Sequence, residues 1–529
     1  GREANIAALR MAVENAEKER AELLLISGEP GIGKTALVRE FIPITANRMG
    51  YYLEGKFDQL QREIPYRGIA DAFRGLIKHI LSEDAARIQE WNRQFSTALG
   101  ENAAIVTAVI PELKLVIGEQ PLVAQLSPSE TQQRFNYTFQ NFVRVFSVTH
   151  TPLVLFLDDV QWIDNASLKL IEWLLSDPEL TNLLVVFAYR SSEVDDVHPI
   201  WKTLRVLRDS GLLSKTIHMR ELEISDVIHF LQDTMSLPAN AVDTLGRIVH
   251  EKTGGNPFFL RQFIASVYDQ GLIYFDRSAS RWLWNEDEIK SSLQTTSIAE
   301  FVTHKIAMLP LETQRTLQTA AVMGNRFNLH ALCVTLNSKP EVVAEYLAPA
   351  LTDMFILPSE SNYRFAGLQI DSELQQEITF VFAHDRIQQA AYEMLNTIEK
   401  GRLHWQVGWL LLESIEHPSD RQRFEIIDHL LAGSALVSSE KEIETLGQNL
   451  VVAAKAALDL AASDTALRYF EAAIHLLPAD AWQTRYESIL NIYNAATRAA
   501  FMNNRIDRMN EFIQIIESNA ATFLDQIPA

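Results

Sequence analysis

The stretch Gly28-Glu29-Pro30-Gly31-Ile32-Gly33-Lys34-Thr35 constrains this chain more than any other. It fits the spacing G-x-x-x-x-G-K-[ST] at every fixed position, follows the apolar run Leu23-Leu24-Leu25-Ile26 and leads into a helix predicted from Ala36 to Phe41. Strand, glycine loop and helix thus come in the order a phosphate-binding loop needs. Gly31 and Gly33 let the backbone curl so that its N–H groups line an anion nest, and the helix N-terminus adds positive potential there. Lys34 is placed for the β- and γ-phosphates of a nucleotide and the Thr35 hydroxyl for Mg²⁺. Gly28, Pro30, Ile32 and Ala36 complete the expected cradle, with the Glu29 and Pro30 side chains only shaping the loop. The competing reading is a plain glycine turn, against which the flanks and the Lys-Thr pair both argue.

A chain of 529 residues exceeds one core, so three or four domains are expected. Hydrophobic residues make up 47% and charged residues 22%, the balance of an ordinary globular protein. Lys and Arg number 47 against 68 Asp and Glu, a net charge of -21, which disfavours nucleic acid or an anionic membrane as the main partner. The single cysteine, Cys333, excludes an internal disulfide or a thiolate zinc cluster and is expected as a reduced thiol in a helical core. No apolar run approaches the roughly 18 residues of a membrane span and no basic-then-apolar leader opens the chain. Together these predict a cytoplasmic protein. The abrupt opening Gly1-Arg2-Glu3 reads as a segment of a longer protein.

Residues 2 to 20 are predicted as an amphipathic helix, and Tyr51 to Phe57 as a second strand after Leu23 to Ile26. Residues 66–148 form a long, mostly helical insertion punctuated by Pro111, Pro121 and Pro128. The next apolar run, Leu153 to Leu157, ends in Asp158-Asp159. Ligands sit beyond the carboxyl ends of parallel strands, so Asp158 is a candidate Mg²⁺ holder and Asp159 a candidate base for an attacking water. Alone, such a pair more often forms a turn or a helix cap; Asp164 and Asn165 are read as caps of a helix through Trp173. A fourth run, Leu183 to Tyr189, ends in Arg190, whose guanidinium either reaches a γ-phosphate or pairs on the surface with Glu193 or Asp195. A fifth strand is predicted near Lys215 to Met219, closing an α/β domain at residue 220.

Residues 221–296 are predicted as a helical lid, with a turn at Thr253 to Pro257 and a hairpin made by Leu272 to Phe275 and Arg281 to Trp284. Residues 297–400 are mostly helical, with an extended pair near Phe355 to Leu357 and Tyr363 to Phe365 that suits a winged helix, and a helix from Ile387 to Leu395. From 401 to 529 the chain is rich in Ala and Leu. Ala466-Leu467-Arg468-Tyr469-Phe470 with Pro478 fits part of a tetratricopeptide unit, and Asn504 to Ile516 opens another. The fold class expected is therefore an α/β P-loop NTPase with a parallel sheet, followed by a helical lid, a winged-helix-like domain and TPR-like helical repeats.

Several separate pieces together resemble the STAND ATPases, signal-transducing relatives of the AAA proteins. They are Gly1-Arg2-Glu3, the loop, Leu153 to Asp164, the strand ending at Arg190, Gly255-Asn256-Pro257 and Phe382-Ala383-His384-Asp385. Gly55 to Gln61 and His384 to Tyr392 look more narrowly like the ATPase module of large bacterial hybrid kinases. In those proteins it typically follows a Ser/Thr kinase-like domain and precedes GAF and histidine kinase or cyclase domains. The resemblance implies ATP or ADP with Mg²⁺ as cofactors. It puts Gly1 and Arg2 near the adenine, Arg190 in the role of a γ-phosphate sensor, and Pro257 packing on the adenine from the lid. It also gives His384 the ADP β-phosphate contact of the winged-helix M-H-D motif, Ala383 standing where that motif carries Met.

The function expected is an ATP-binding, slowly hydrolysing switch that regulates attached kinase or cyclase domains. Nucleotide-dependent self-association and a protein partner on the repeats are further expectations. Two rivals stand beside it: a motor-like oligomeric ATPase acting on a macromolecule, and a repeat scaffold in which nucleotide is structural.

Overall fold

The computed structural model of this chain describes residues 2–16, 21–40, 50–124, 126–147, 153–195, 197–291, 298–359, 378–437 and 439–526. Strands β1 (Glu22–Gly28), β2 (Tyr51–Lys56), β3 (Leu153–Asp158), β4 (Leu183–Arg190) and β5 (Leu213–His218) form one sheet in the order β2-β3-β4-β1-β5. Every neighbouring pair is parallel. β5 begins and ends slightly earlier than the sequence suggests. Connections after β1 run to one side and return through β4, and the chain then crosses β1 to lay down β5. The carboxyl end of β1 therefore lies where strand order reverses, the place where such sheets open a crevice.

The continuous apolar runs are explained by cover on both faces, since side chains alternate along a strand. Leu24, Ile26, Val154 and Phe156 pack under helix α1 (Glu3–Ala16) through Leu9 and Val13. Leu23, Leu25, Leu155 and Phe187 face the helical insertion, where Phe73, Phe139 and Phe142 of helices Arg67–Leu81 and Pro128–Ser147 are buried. Helix α1 is described as far as Ala16, and the rest of its predicted length, residues 17–20, lies outside the described residues. Helix α2 (Lys34–Arg39) starts two residues before the predicted Ala36, and its predicted end, Phe41, also lies outside.

The lid comprises helices Ile224–Met235, Ala239–Thr253 and Pro257–Asp269 and the hairpin of β6 (Ile273–Asp276) and β7 (Arg281–Trp284). The winged segment packs helices Ile298–Ala307, Leu311–Met323, Leu329–Thr335 and Pro340–Thr352 against an antiparallel sheet. That sheet orders β8 (Arg326–Asn328), β10 (Thr379–Phe382) and β9 (Ile356–Pro358) as β8-β10-β9. Tyr363 to Phe365, expected as the partner of the 355–357 strand, lies outside the described residues; among the described ones β9 pairs with β10. The alternation of buried Phe380 and Phe382 is the signal for β10, a stretch the sequence reading took only as the approach to a helix. Cys333 is buried in helix Leu329–Thr335, and burial pushes its thiol up to about 11.

Paired helices follow, among them Asp420–Ala432, Glu440–Asp459, Ser463–His475, Tyr486–Met502 and Ile506–Asn519. Ala466 and Phe470 are buried, as a tetratricopeptide spacing requires. This array joins the helical insertion in one continuous core. The Tyr66 hydroxyl donates to the Leu460 carbonyl (3.0 Å), Thr465 donates to the Glu63 carbonyl (3.2 Å) and Arg421 pairs with Asp71 at 2.6 Å.

Candidate functional site

The loop between β1 and α2 is held open by backbone conformation. Gly31 and Gly33 have φ of 77° and 96°, the left-handed region that a Cβ disfavours. Lys34 is 7% exposed, and its ammonium donates to the Gly28 and Glu29 carbonyls at 2.9 and 3.1 Å. Burial lowers its pKa while Asp158 and Asp159 pull the other way. A buried ammonium on neutral oxygens, at a helix start, is electrostatically prepared for an anion. Arg2 clips the loop from outside, its guanidinium donating to the Ile32 carbonyl at 3.1 Å. Gly1 lies outside the described residues.

Thr35 Oγ1 donates to Asp158 Oδ2 at 2.6 Å, so these two oxygens stand together at the end of β3. Burial, then the neighbouring Asp159, raises the Asp158 pKa. Asp158 Oδ1 accepts the Asp159 N–H (2.9 Å), and Asp159 itself adopts φ 53°, uncommon outside glycine but tolerated by Asp. That twist turns the Asp159 carboxylate away from Asp158. Its Oδ1 accepts from Arg190 Nε (2.9 Å) and Gln161 Nε2 (2.8 Å), and its Oδ2 lies 3.3 Å from Lys56 Nζ. Both oxygens of the candidate base are thus already engaged by donors. Asp164 caps helix Asn165–Leu175 alone, so Asn165 is its first residue and not a cap.

Arg190 is 6% exposed and faces three carboxylates: Nε on Asp159, Nη1 on Glu193 and Nη2 on Asp385, each at 2.9 Å. The surface alternative gets Glu193 right as a partner but misses the burial and the two other carboxylates. Asp385 also takes Lys56 Nζ at 2.5 Å. Burial opposes each charge here, yet the pairing outweighs it. Lys56 and Arg190 are held above their ordinary ranges and Asp385 below its own.

The lid meets the loop through neutral groups. Asn256 Nδ2 donates to the Pro30 carbonyl (2.9 Å), the Phe258 N–H donates to the Gly31 carbonyl (3.2 Å), and Asn256 Oδ1 caps the helix that Pro257 opens. Pro257 therefore stands between two residues bonded to the loop. His384 caps helix Asp385–Glu393 by accepting the Arg386 N–H (3.1 Å), and its ring lies on Phe258 with centroids 4.1 Å apart. Burial, then Lys56 and Arg190, lowers the imidazole to about 3, leaving it neutral.

Sequence reasoning singled out neither Lys56, Asp385, Asn256 nor Phe258, although all lie in or beside motifs quoted for the resemblance. Lys56 carried a readable signal, a charged residue ending a strand beside the strand of the acidic pair. Among the described residues no group of three or more His, Cys, Asp or Glu is placed to hold a metal ion. The hard oxygens of Thr35 and Asp158 suit Mg²⁺, which usually takes few protein ligands and completes its shell with phosphate and water.

Residues 1–186 match the family model of an AAA ATPase domain. Over 93% of its length the chain is 25% identical to hybrid signal transduction histidine kinase G of Dictyostelium discoideum, covering 17% of that protein. Over 96% it is 21% identical to the peroxide stress-activated histidine kinase mak3 of Schizosaccharomyces pombe, covering 23%. The chain therefore spans about a fifth of the length of these relatives. Among solved structures, a signal transduction ATPase with numerous domains (STAND) and a tetratricopeptide repeat sensor, from Pyrococcus horikoshii, aligns with a TM-score of 0.43 and 13% identity. That alignment covers 98% of this chain and 64% of the other.

Proposed function

We propose that this chain, whose residues 1–186 match the family model of an AAA ATPase domain, is a STAND-like, nucleotide-operated switch that hydrolyses ATP slowly and governs attached kinase domains. The observation that carries this reading is Asp385, which reaches from the winged segment to hold Lys56 and Arg190 of the sheet domain together. In this arrangement Arg190 is fully paired with carboxylates, and Asp159 is held by Arg190, Gln161 and Lys56 rather than presented to a water. That is the closed, resting form.

Lys34 and the loop N–H groups bind the phosphates, and Thr35 with Asp158 would hold Mg²⁺, which when bound neutralises phosphate charge. Arg190 exchanges its Asp385 carboxylate for the γ-phosphate, a tetrahedral anion whose oxygens also accept the guanidinium and which offers more charge. Losing that contact loosens Asp385, and the winged segment then keeps Lys56 and the weaker Arg386–Glu193 contact. ATP, but not ADP, thereby favours the open form, because only differential affinity for two states can shift them. Asp159 is released in the same exchange and becomes able to orient water, so hydrolysis follows opening. Arg2, Pro257 and His384 line the nucleotide, His384 keeping the ADP form closed as a neutral hydrogen-bonding ring. The flanking kinase domains of the similar proteins are the output this movement would reach.

Small-angle scattering with ADP and with a non-hydrolysable ATP analogue tests the switch. A larger radius with the analogue is expected, and superimposable curves would refute it. A Lys34→Ala variant that still binds ATP undiminished would remove the loop from the mechanism.

A further inference from the structure

A cavity of about 980 Å³ lies where the helical insertion meets the array, bounded by helices Pro128–Ser147 and Asn165–Leu175 on one side and Tyr486–Met502 and Ile506–Asn519 on the other. Its size is that of a small-molecule site, which runs to about 300–1,000 Å³. Trp173 and Phe501 stand as its aromatic walls, 44% and 65% exposed, and Met502 and Met509 add adaptable apolar surface. None of these side chains is used by the nucleotide site.

The polar groups are arranged for an anion. Arg498 Nε is buried and has no hydrogen-bond partner, and among the described residues its guanidinium makes no ion pair. Lys169, the second cation of the lining, touches only Asp464, at 3.9 Å. Glu172 is the one acidic residue among the described residues lining the cavity, and with Lys169 drawn toward Asp464 the cation left without a carboxylate partner there is Arg498. A buried donor left unpaired is costly, and a forked guanidinium is best satisfied by a carboxylate.

We infer that this cavity is a binding site for a small organic carboxylate with an aromatic or branched apolar body, its carboxylate on Arg498 and its body between Trp173 and Phe501. The occupant wedges the array against helix Asn165–Leu175, which follows the Asp158-Asp159 pair directly in the chain. The site stands independently of the nucleotide reading, and its test contains no nucleotide.

The probe is 2-naphthylacetate, titrated calorimetrically beside the neutral 2-naphthylacetamide. The acid should bind about tenfold or more tightly than the amide. Arg498→Met should erase that preference while keeping the cavity wall, Arg498→Lys should restore part of it, and Phe501→Ala should weaken both probes alike. Lys169→Met, at a more exposed position, should reduce the preference in the same direction and serves should Arg498→Met fail to fold. Equal affinity for acid and amide, an unchanged preference in the folded variants, or no saturation by either probe up to about 1 mM overturns the assignment.

Discussion

The phosphate loop and the strand ends beside it are approached by two outlying segments in opposite ways. The lid uses neutral hydrogen bonds, Asn256 to Pro30 and Phe258 to Gly31, which fix register. The winged segment uses charge, with Asp385 between Lys56 and Arg190 and Arg386 near Glu193 at 3.3 Å. A neutral contact is indifferent to an arriving phosphate. A carboxylate on a buried arginine, as Asp385 on Arg190, would compete with it directly. The difference teaches which approach is permanent and which is conditional.

Removing the charged contact should have the largest effect. Asp385→Ala removes the carboxylate that reaches Lys56 and Arg190 from the winged segment, leaving both on Asp159, and should weaken the closed arrangement by about 3 kcal/mol, the loss of two charge-assisted hydrogen bonds. Scattering should then show the open radius with ADP present, and an unchanged closed radius would break the contrast. Lys34→Ala should follow, lowering affinity for a fluorescent ADP or ATP analogue by about 2 kcal/mol, roughly thirtyfold, for one charged hydrogen-bonding group. Asn256→Ala should cost about 1 kcal/mol of thermal stability through the lost cap and loop bond, without changing how ADP and ATP analogue differ in scattering. If it abolished that difference, the lid would be part of the switch and not a fixed clamp.

The smallest expected effect concerns His384. Its folded pKa of about 3 lies below the ordinary histidine value, so the folded form binds fewer protons than the unfolded chain. The stability this brings is full above about pH 6.5 and is lost as pH falls toward 3. From pH 7 to 6 His384 should contribute a loss of about 0.7 kcal/mol. His384→Asn, which can still cap the helix, should show a shallower fall in melting temperature than the parent. Comparison with the parent is essential because His404 and His429, lowered by burial to about 3 and about 4, fall in both proteins.

What was legible in the sequence follows the range of the interactions. The parallel strands, the loop and the acidic pair were readable because each is local: an apolar run, a glycine spacing, a carboxylate at a strand end. β10 was missed because its alternation spans only Thr379–Phe382 and its partners β8 and β9 lie distant in sequence. The triple engagement of Arg190 was equally invisible, since Asp159, Glu193 and Asp385 converge only through the fold. The lid's grip on the loop falls on Asn256 and Phe258, either side of the residue that the motif highlighted.

The seam between helical insertion and array has a mechanical consequence. Tyr66, Phe135 and Phe139 of one share a single apolar core with Phe424, Tyr469 and Phe470 of the other, and pulling them apart would hydrate that surface at about 25 cal/mol for every Å² exposed. The array is therefore welded to the insertion, and the movement proposed for the switch would fall on the segment held by a few ionic contacts, Asp385 with Lys56 and Arg190 and Arg386 with Glu193.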